Sequence, residues 1–190
     1  MIYKHMYCGY SDNPDVELLS HKDIITSSAA VYEDMIFVYF ESINEALSID
    51  DVAKGKMKPF PNGDMWAEMI EAFHFFTPKT DEEWIRKVPN KTPQFRINKI
   101  YMNKVASYIY YHQQLQRNNQ YNCDKFFSIF LFGNIGIIYG ESPVESITWQ
   151  DIEGKPYTPI RQDWTPLMNE HFVPWEDGHK GWTELKLIGR

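Results

Sequence analysis

Strand-like patterning dominates the second half of the chain. Phe95–Tyr101 alternates apolar and polar side chains, while Lys125–Leu131 and Ile135–Glu141 are rich in Phe and Ile, and both patterns are typical of strands. Gly133-Asn134 lies between the last two segments and predicts a hairpin turn.

Helices are predicted on either side of that hairpin. Lys104–Asn119 lacks Gly and Pro and has apolar residues that suit one face of a helix. A second helix is predicted over Trp164–His171, followed by a closing strand within Trp182–Ile188. The order βαββαβ is the split arrangement of ferredoxin-like domains.

The first half of the chain predicts a similar set of elements. Strands are expected at Ile2–Cys8, Ile24–Tyr32 and Met35–Glu41, then a helix near Asp64–Ala72 and a strand at Phe73–Phe76. Few residues separate the first two strands, so the first helix of this half should be short or missing.

The two halves also match residue by residue. With a shift of 100 positions, Tyr39-Phe40-Glu41-Ser42 falls on Tyr139-Gly140-Glu141-Ser142. With a shift of 99, four more residues coincide with their counterparts: Asp64 with Asp163, Met69 with Met168, Glu71 with Glu170 and Phe73 with Phe172. Short apolar strands look alike by chance, but polar matches that stay in register favour a duplication.

We therefore predict an α+β fold made of tandem ferredoxin-like units. The first unit spans residues 1–80, a connector rich in proline and charge spans 81–93, and the second unit spans 94–190. Two antiparallel sheets of this kind can pack face to face as a pseudo-dimer within one chain.

The composition and charge of the chain limit the classes of partner that it is expected to bind. The 190 residues include 19 Lys and Arg against 26 Asp and Glu, a net charge of −7, whereas binding nucleic acid needs a concentrated basic face. The most apolar segment, Phe126–Tyr139, is 14 residues long and interrupted by polar residues, too short to span a bilayer as a helix. No nucleic-acid or membrane partner is expected, and a cytoplasmic location is the default expectation.

Cysteine and histidine usage gives no sign of a metal or cofactor. The two cysteines, Cys8 and Cys123, are too few for a disulfide framework and form no C-x-x-C pair. The six histidines include no close pair at the spacing of helical metal ligands. We expect neither a metal site nor a bound cofactor.

The most suggestive chemistry lies on the predicted helix of the second half. Tyr108, His112 and Gln116 stand one turn apart and share a face. Histidine is the side chain whose ordinary pKa lies closest to neutrality, so it can exchange protons at physiological pH. The same spacing also fits a polar stripe that faces solvent.

Several segments resemble the L-rhamnose mutarotase family, whose small ferredoxin-like proteins pair their sheets as a dimeric α+β barrel. The family's first helix carries Tyr and His four apart, as Tyr108 and His112 stand here, and its next strand is similar to Phe126–Leu131. Its following strand ends like Tyr139-Gly140-Glu141, and a segment near its end is similar to Met65–His74. The resemblance extends over most of both halves and implies an intrachain α+β barrel.

The resemblance also implies a function, the interconversion of the anomers of a monosaccharide by general acid–base catalysis. His112 would be the acid–base group and Tyr108 its partner, with no metal or nucleotide required. The substrate contacts expected from the matching positions are Trp164, Tyr139, Glu141, Gln116 and Phe127. At two of them the residue type differs: Phe127 stands where the family has tyrosine, and Gln116 where it has tryptophan.

Two other classes of function remain open on the sequence. One is a non-catalytic module that binds a carbohydrate or another small molecule. The other is a different enzyme of the same architecture, such as a small monooxygenase or a haem-degrading protein, in which His112 or His74 faces a different ligand. In each case the protein would be a monomer, as an intrachain pseudo-dimer, or a weak homodimer.

Overall fold

The computed structural model describes residues 1–78, 80–117, 123–147 and 162–190. Within these ranges the chain is a mixed α+β protein with mostly antiparallel sheets and two α-helices, α1 (Val105–Arg117) and α2 (Trp164–Asn169). The strands are β1 (Tyr3–Tyr10), β2 (Val16–Leu18), β3 (Ile24–Tyr32), β4 (Met35–Ser42), β5 (Ala53–Gly55), β6 (Ala67–Glu68), β7 (Ile70–His74), β8 (Thr92–Lys99), β9 (Cys123–Asp124), β10 (Ser128–Phe132), β11 (Ile135–Ser142), β12 (Ser146–Ile147), β13 (Thr183–Glu184) and β14 (Lys186–Gly189). Short 3₁₀ turns lie at Ile49–Asp51, Asp81–Trp84 and Met102–Lys104.

The first sheet is built around the hairpin of β3 and β4. Its five strands have the order β14-β3-β4-β1-β6, and β4 is buried along its whole length. Ile36, Val38 and Phe40 of β4 belong to a core that is closed by Val52 and Ala53. The small β2–β5 ribbon and the turn before it therefore cover a face that a ferredoxin-like unit covers with helices.

The prediction of a helix over Asp64–Ala72 is wrong, because the segment forms strands. Ala67–Glu68 pairs with β1, and the Met69 amide donates to the Met6 carbonyl at 2.8 Å. An edge strand offers a row of open main-chain groups, so hydrogen bonding to β1 outweighs the helix-like spacing of apolar residues in this segment. The closing strand expected at Phe73–Phe76 lies slightly earlier, as β7.

The second sheet is built around the hairpin of β10 and β11, with the order β13-β8-β11-β10-β7. The hairpin turns at Gly133-Asn134, as predicted, and Gly133 has the positive φ of 58° that favours glycine there. The 13 residues of α1 follow the predicted helix, whose last two residues, 118 and 119, lie outside the described ranges. Both helices contribute to one core with the sheet; its fully or nearly buried members are Ala72, Phe73, Ile100, Tyr108, Ile129, Leu131, Ile138, Met168 and Phe172.

Each sheet takes one edge strand from a distant part of the chain. β7 comes from the first half and lies at the edge of the second sheet, beside β10, whereas β14 comes from the end of the chain and lies beside β3 in the first sheet. Compact packing accordingly groups residues 1–70, 78–85 and 185–190 into one unit and residues 71–77 and 86–184 into another. The second unit therefore contains side chains that are far apart in sequence.

Candidate functional site

Helix α1 presents Tyr108 and His112 toward the sheet of the second unit. Tyr108 is fully buried and His112 is only 6% exposed, while Gln116, one turn further along, is partly buried. The predicted shared face is therefore the core-facing side of the helix, and the alternative of a polar stripe in solvent does not hold for Tyr108 and His112.

The orientation of His112 is set by its own helix. The carbonyl of Tyr108 lies 2.9 Å from His112 Nδ1, and since a carbonyl can only accept, Nδ1 carries the proton and donates it. Nε2 of the neutral ring is therefore left as a proton acceptor, and it makes no hydrogen bond within the described part of the chain. In this tautomer Nε2 is the nitrogen that can act as a base.

Aromatic rings surround this imidazole. The ring centroid of Tyr108 lies 4.1 Å from that of His112, and those of Trp164 and Phe73 lie 5.1 and 5.3 Å away, both edge-on. Phe127 packs against Phe73 at 6.2 Å. The cluster combines α1, α2, β7 and the segment before β10, so it brings together His112 with two of its predicted neighbours, Trp164 and Phe127.

Burial controls the charge of His112. Desolvation lowers the pKa of His112 to about 4, with the hydrogen bond to the Tyr108 carbonyl opposing that shift and the nearby His171 adding to it. The imidazole is therefore neutral at physiological pH. It can accept a proton from a bound molecule, but it does not hold one to donate at the start of a reaction.

The phenol of Tyr108 is enclosed. Its hydroxyl is buried and has no hydrogen-bond partner among the described residues, and burial raises the pKa of Tyr108 well above its ordinary value. The phenol is thus neutral. Its main-chain carbonyl, not its hydroxyl, makes the contact with His112.

A polar cluster that the sequence did not reveal adjoins this aromatic one. Gln116 Nε2 lies 3.0 Å from His74 Nε2, and the other ring nitrogen of His74, Nδ1, lies 3.2 Å from Glu71 Oε2. The second carboxylate oxygen of Glu71 accepts a hydrogen bond of 2.8 Å from the Ser128 hydroxyl. A carboxylate, an imidazole and an amide therefore lie in contact at the end of β7. Only the placement of β7 beside β10 makes this possible.

Two predicted contacts, Tyr139 and Glu141, lie on the opposite face of the sheet. Ile138 belongs to the core under α1, and side chains alternate along a strand, so Tyr139 and Glu141 point away from that helix. The Tyr139 ring instead contacts Phe95 at 5.4 Å. The structure thus separates the predicted site residues into two groups.

Glu141 belongs to a buried ionic cluster. It is 3% exposed, accepts a hydrogen bond of 2.9 Å from the Tyr139 hydroxyl and is bridged by the guanidinium of Arg86. Lys91 Nζ lies 4.0 Å from the same carboxylate. These charges compensate one another, as buried charges require. In the first unit, Glu41 has a related arrangement and accepts hydrogen bonds from the Tyr39 hydroxyl at 2.7 Å and Trp84 Nε1 at 2.8 Å.

The described residues form neither a cluster of metal ligands nor a membrane-spanning helix. Across residues 1–78, 80–117, 123–147 and 162–190, no three metal-ligating side chains gather as a metal ion would require. None of the helices in these ranges is long and apolar enough to cross a membrane.

Comparison with known proteins leaves the family open. No protein-family model matches the chain, and no curated protein matches its sequence. Among solved structures, the chain is similar to the crystal structure of a candidate monooxygenase from Fusobacterium nucleatum. The identity is 10% and the TM-score 0.40, with 98% of this chain and 92% of the other covered. A likeness this distant supports no conclusion about function.

Proposed function

We propose that the chain is a mutarotase-like isomerase that interconverts the anomers of a monosaccharide. The observation that carries the proposal is the buried His112, whose Nδ1 proton is held by the Tyr108 carbonyl at 2.9 Å so that Nε2 is presented as a proton acceptor. The partly exposed Trp164 ring beside His112 suits the apolar face of a sugar. The sequence resemblance to the mutarotase family points to the same residue.

The reaction needs little beyond positioned proton carriers. Anomers interconvert when the ring oxygen gains a proton and the anomeric hydroxyl loses one, which breaks the bond between the anomeric carbon and the ring oxygen. The open-chain aldehyde then recloses on its other face, and the protons return. Each positioned acid or base contributes roughly 10²–10⁴-fold to such a step. In this proposal Nε2 of His112 takes the proton of the anomeric hydroxyl.

The proposed site consists of residues on the helix-covered face of the sheet. Trp164 is the aromatic platform, Phe127 extends the apolar wall through Phe73, and Gln116 supplies a polar group one turn beyond His112. Tyr139 and Glu141 are not included, because the sheet separates them from the imidazole. Tyr108 acts as the partner of His112 through its carbonyl.

The test is the rate of anomer exchange in a variant of His112. His112→Asn keeps an N–H donor near the position of Nδ1 and removes the Nε2 acceptor. We expect exchange of a responsive sugar, measured by saturation transfer between its anomeric protons, to fall at least about 100-fold. His179→Asn, which changes an exposed histidine, is the matched control. Unchanged exchange in a folded His112→Asn protein would contradict the assignment.

A non-catalytic binding function is the second candidate, and one observation favours it. The Tyr108 hydroxyl is wholly enclosed, so the tyrosine that the family resemblance pairs with the histidine offers no hydroxyl to a ligand. Saturation-transfer difference spectra on the same sugars separate the two functions. Binding by the wild-type protein with no anomer exchange would establish the second and exclude the first.

We also propose that the two halves of the chain are copies of one unit. In each sheet a hairpin, β3–β4 or β10–β11, is flanked on one side by an earlier strand, β1 or β8, and on the other by the edge strand from a distant part of the chain. This shared order supports the duplication inferred from the sequence match around Tyr39 and Tyr139. It concerns architecture and is independent of the proposed activity.

A further inference from the structure

The proposed reaction lacks a proton donor among the residues predicted from the sequence. His112 is neutral at physiological pH, and the Tyr108 hydroxyl is enclosed. An isomerisation through the open-chain sugar nevertheless requires a group that gives a proton to the ring oxygen. A donor should therefore lie near His112, in a position that is only partly buried.

Strand β7 carries a carboxylate–imidazole pair with these properties. Glu71 Oε2 lies 3.2 Å from His74 Nδ1, and the side chains of Glu71 and His74 are 25% and 21% exposed. The other carboxylate oxygen accepts from the Ser128 hydroxyl at 2.8 Å, which fixes the orientation of the carboxylate. Glu71 can thus hold a proton on Nδ1 and supply the counter-charge when the ring is protonated on both nitrogens.

The remaining nitrogen, His74 Nε2, faces groups that can be exchanged for those of a ligand. Thr77 Oγ1 lies 2.7 Å from it and Gln116 Nε2 lies 3.0 Å from it. The Gln116 amide nitrogen can only donate, so the neutral ring accepts from it at Nε2. The Thr77 hydroxyl can donate or accept, and a half-turn of the Gln116 carboxamide presents its oxygen as an acceptor to the protonated ring. The hydroxyl groups of a sugar could replace Thr77 and Gln116 as hydrogen-bond partners of His74 Nε2, because they also donate and accept.

The pair and His112 belong to one neighbourhood. Phe73, the residue before His74, places its ring 5.3 Å from that of His112. Gln116, which contacts His74, lies on α1 one turn beyond His112. The two imidazoles are thus linked by adjacent positions on β7 and by successive turns of α1.

We propose that Glu71 and His74 form the second acid–base pair of the site, with His74 as a catalytic residue and Glu71 as its positioning residue. The inference rests on the proposed function. In the forward step, protonated His74 gives its Nε2 proton to the ring oxygen as the bond from that oxygen to the anomeric carbon breaks, and His112 Nε2 takes the proton of the anomeric hydroxyl. Reclosure returns both protons, so nothing is consumed. The substrate class is a cyclic hemiacetal with free hydroxyl groups.

The activity test compares His74→Gln and Glu71→Gln with a matched pair elsewhere in the chain. His179 Nδ1 lies 2.6 Å from Asp177 Oδ1 on the surface, so His179→Gln removes an imidazole beside a carboxylate without touching the site. We expect His74→Gln to lower anomer exchange about 100-fold or more, Glu71→Gln to lower it less and to shift the pH profile, and His179→Gln to have no effect. Full exchange in folded His74→Gln protein would overturn the proposal.

A second readout keeps the pair testable even where the wild-type protein exchanges no anomers. The imidazole ¹⁵N and ring ¹H resonances of His74, assigned by their loss in His74→Gln, are followed while D-glucose, L-rhamnose and D-mannose are added. The proposal expects the Nε2 resonance to shift on binding and the His179 resonances to stay in place. If the His74 resonances do not respond, the pair is not part of the site, whether or not saturation-transfer difference shows that the sugars bind. A response of His74 without anomer exchange would refute the isomerase and leave His74 as a ligand contact.

Discussion

At the scale of single residues, burial decides the chemistry of the site. His112 is held in one tautomer by the Tyr108 carbonyl at 2.9 Å, and desolvation keeps it neutral. Glu71 and His74 lie at the partly exposed margin of the same cluster. An acceptor and a candidate donor are therefore separated by environment rather than by residue type, as acid–base pairs in enzymes often are.

The lowered pKa of His112 predicts a dependence of stability on pH. The imidazole has an ordinary pKa of 6.5 and a pKa of about 4 in the folded chain, so the unfolded chain binds the proton more tightly and stability falls as the pH drops from 6.5 toward 4. The difference corresponds to about 3 kcal/mol in the free energy of unfolding. Urea denaturation at several pH values should show a shallower loss for His112→Asn than for the wild-type protein. Parallel pH curves for the two proteins would contradict the burial argument.

The enclosed phenol of Tyr108 leads to a different expectation. Its hydroxyl is buried without a partner among the described residues, and an unpaired buried hydroxyl costs free energy. Tyr108→Phe should therefore leave stability unchanged or raise the free energy of unfolding by about 1 kcal/mol. Anomer exchange should be retained, because the carbonyl that orients His112 remains. A variant that folds well but loses exchange would show that the hydroxyl takes part in the reaction.

The sequence could predict one part of this site and not the other. Tyr108, His112 and Gln116 are one turn apart on a helix without Gly or Pro, so their shared face follows from helical geometry alone. Glu71 and His74 meet Gln116 only because β7 joins the second sheet. The sequence did contain one indication of this pair, because Glu71 and His74 lie in the segment most similar to the mutarotase family. That segment was predicted largely as helix.

At the scale of elements, the predicted connector 81–93 supplies hydrogen-bond donors to two buried carboxylates, Glu41 near the end of β4 and Glu141 near the end of β11. Trp84 Nε1 donates to Glu41 at 2.8 Å in the first unit, and the Arg86 guanidinium binds Glu141 in the second. Trp84 is the last residue of the 3₁₀ turn at Asp81–Trp84, and Arg86 follows two residues later. The segment is therefore part of the fold, although its prolines and charges are typical of a linker.

Removal of the Arg86 guanidinium should be costly. Arg86→Met leaves Glu141, which is 3% exposed, without its main counter-charge, and breaking a buried pair of this kind destabilises by about 2–3 kcal/mol when Lys91 remains nearby. Arg96→Met is the matched control, because the Arg96–Glu184 pair lies 3.9 Å apart at the surface and should contribute at most about 1 kcal/mol. Urea denaturation measures both. Equal losses of unfolding free energy in the two variants would show that burial of the Arg86–Glu141 pair adds no stability.

Sequence patterns located the main strands of both halves and failed at one predicted helix of the first. Strand alternation and the Gly133-Asn134 turn are local signals, and α1 follows its predicted range closely. The failure at Asp64–Ala72 has a non-local cause, since Ala67 and Glu68 pair with β1 and the chain then enters β7 of the second sheet. The helix propensity of a segment depends on its own residues and does not reflect an open sheet edge supplied from elsewhere in the chain.

At the scale of the whole molecule, the placement of β7 and β14 matters most. Each sheet completes one edge with a strand from a distant part of the chain, so residues 71–77 belong to the same compact unit as α1. This arrangement brings Glu71 and His74 to the helix that carries His112. The proposed activity thus depends on the chain's topology as well as on its helical motif.

The rate at which the wild-type protein interconverts sugar anomers tests the proposed isomerase activity most directly. Two-dimensional exchange spectroscopy at neutral pH, over a panel that includes L-rhamnose, D-glucose, D-mannose and D-galactose, compares that rate with the spontaneous one. We expect cross-peaks between the anomeric protons of at least one sugar to grow in proportion to protein concentration and to disappear in His112→Asn. Exchange at the spontaneous rate for every sugar, with the protein folded, would contradict the proposed activity.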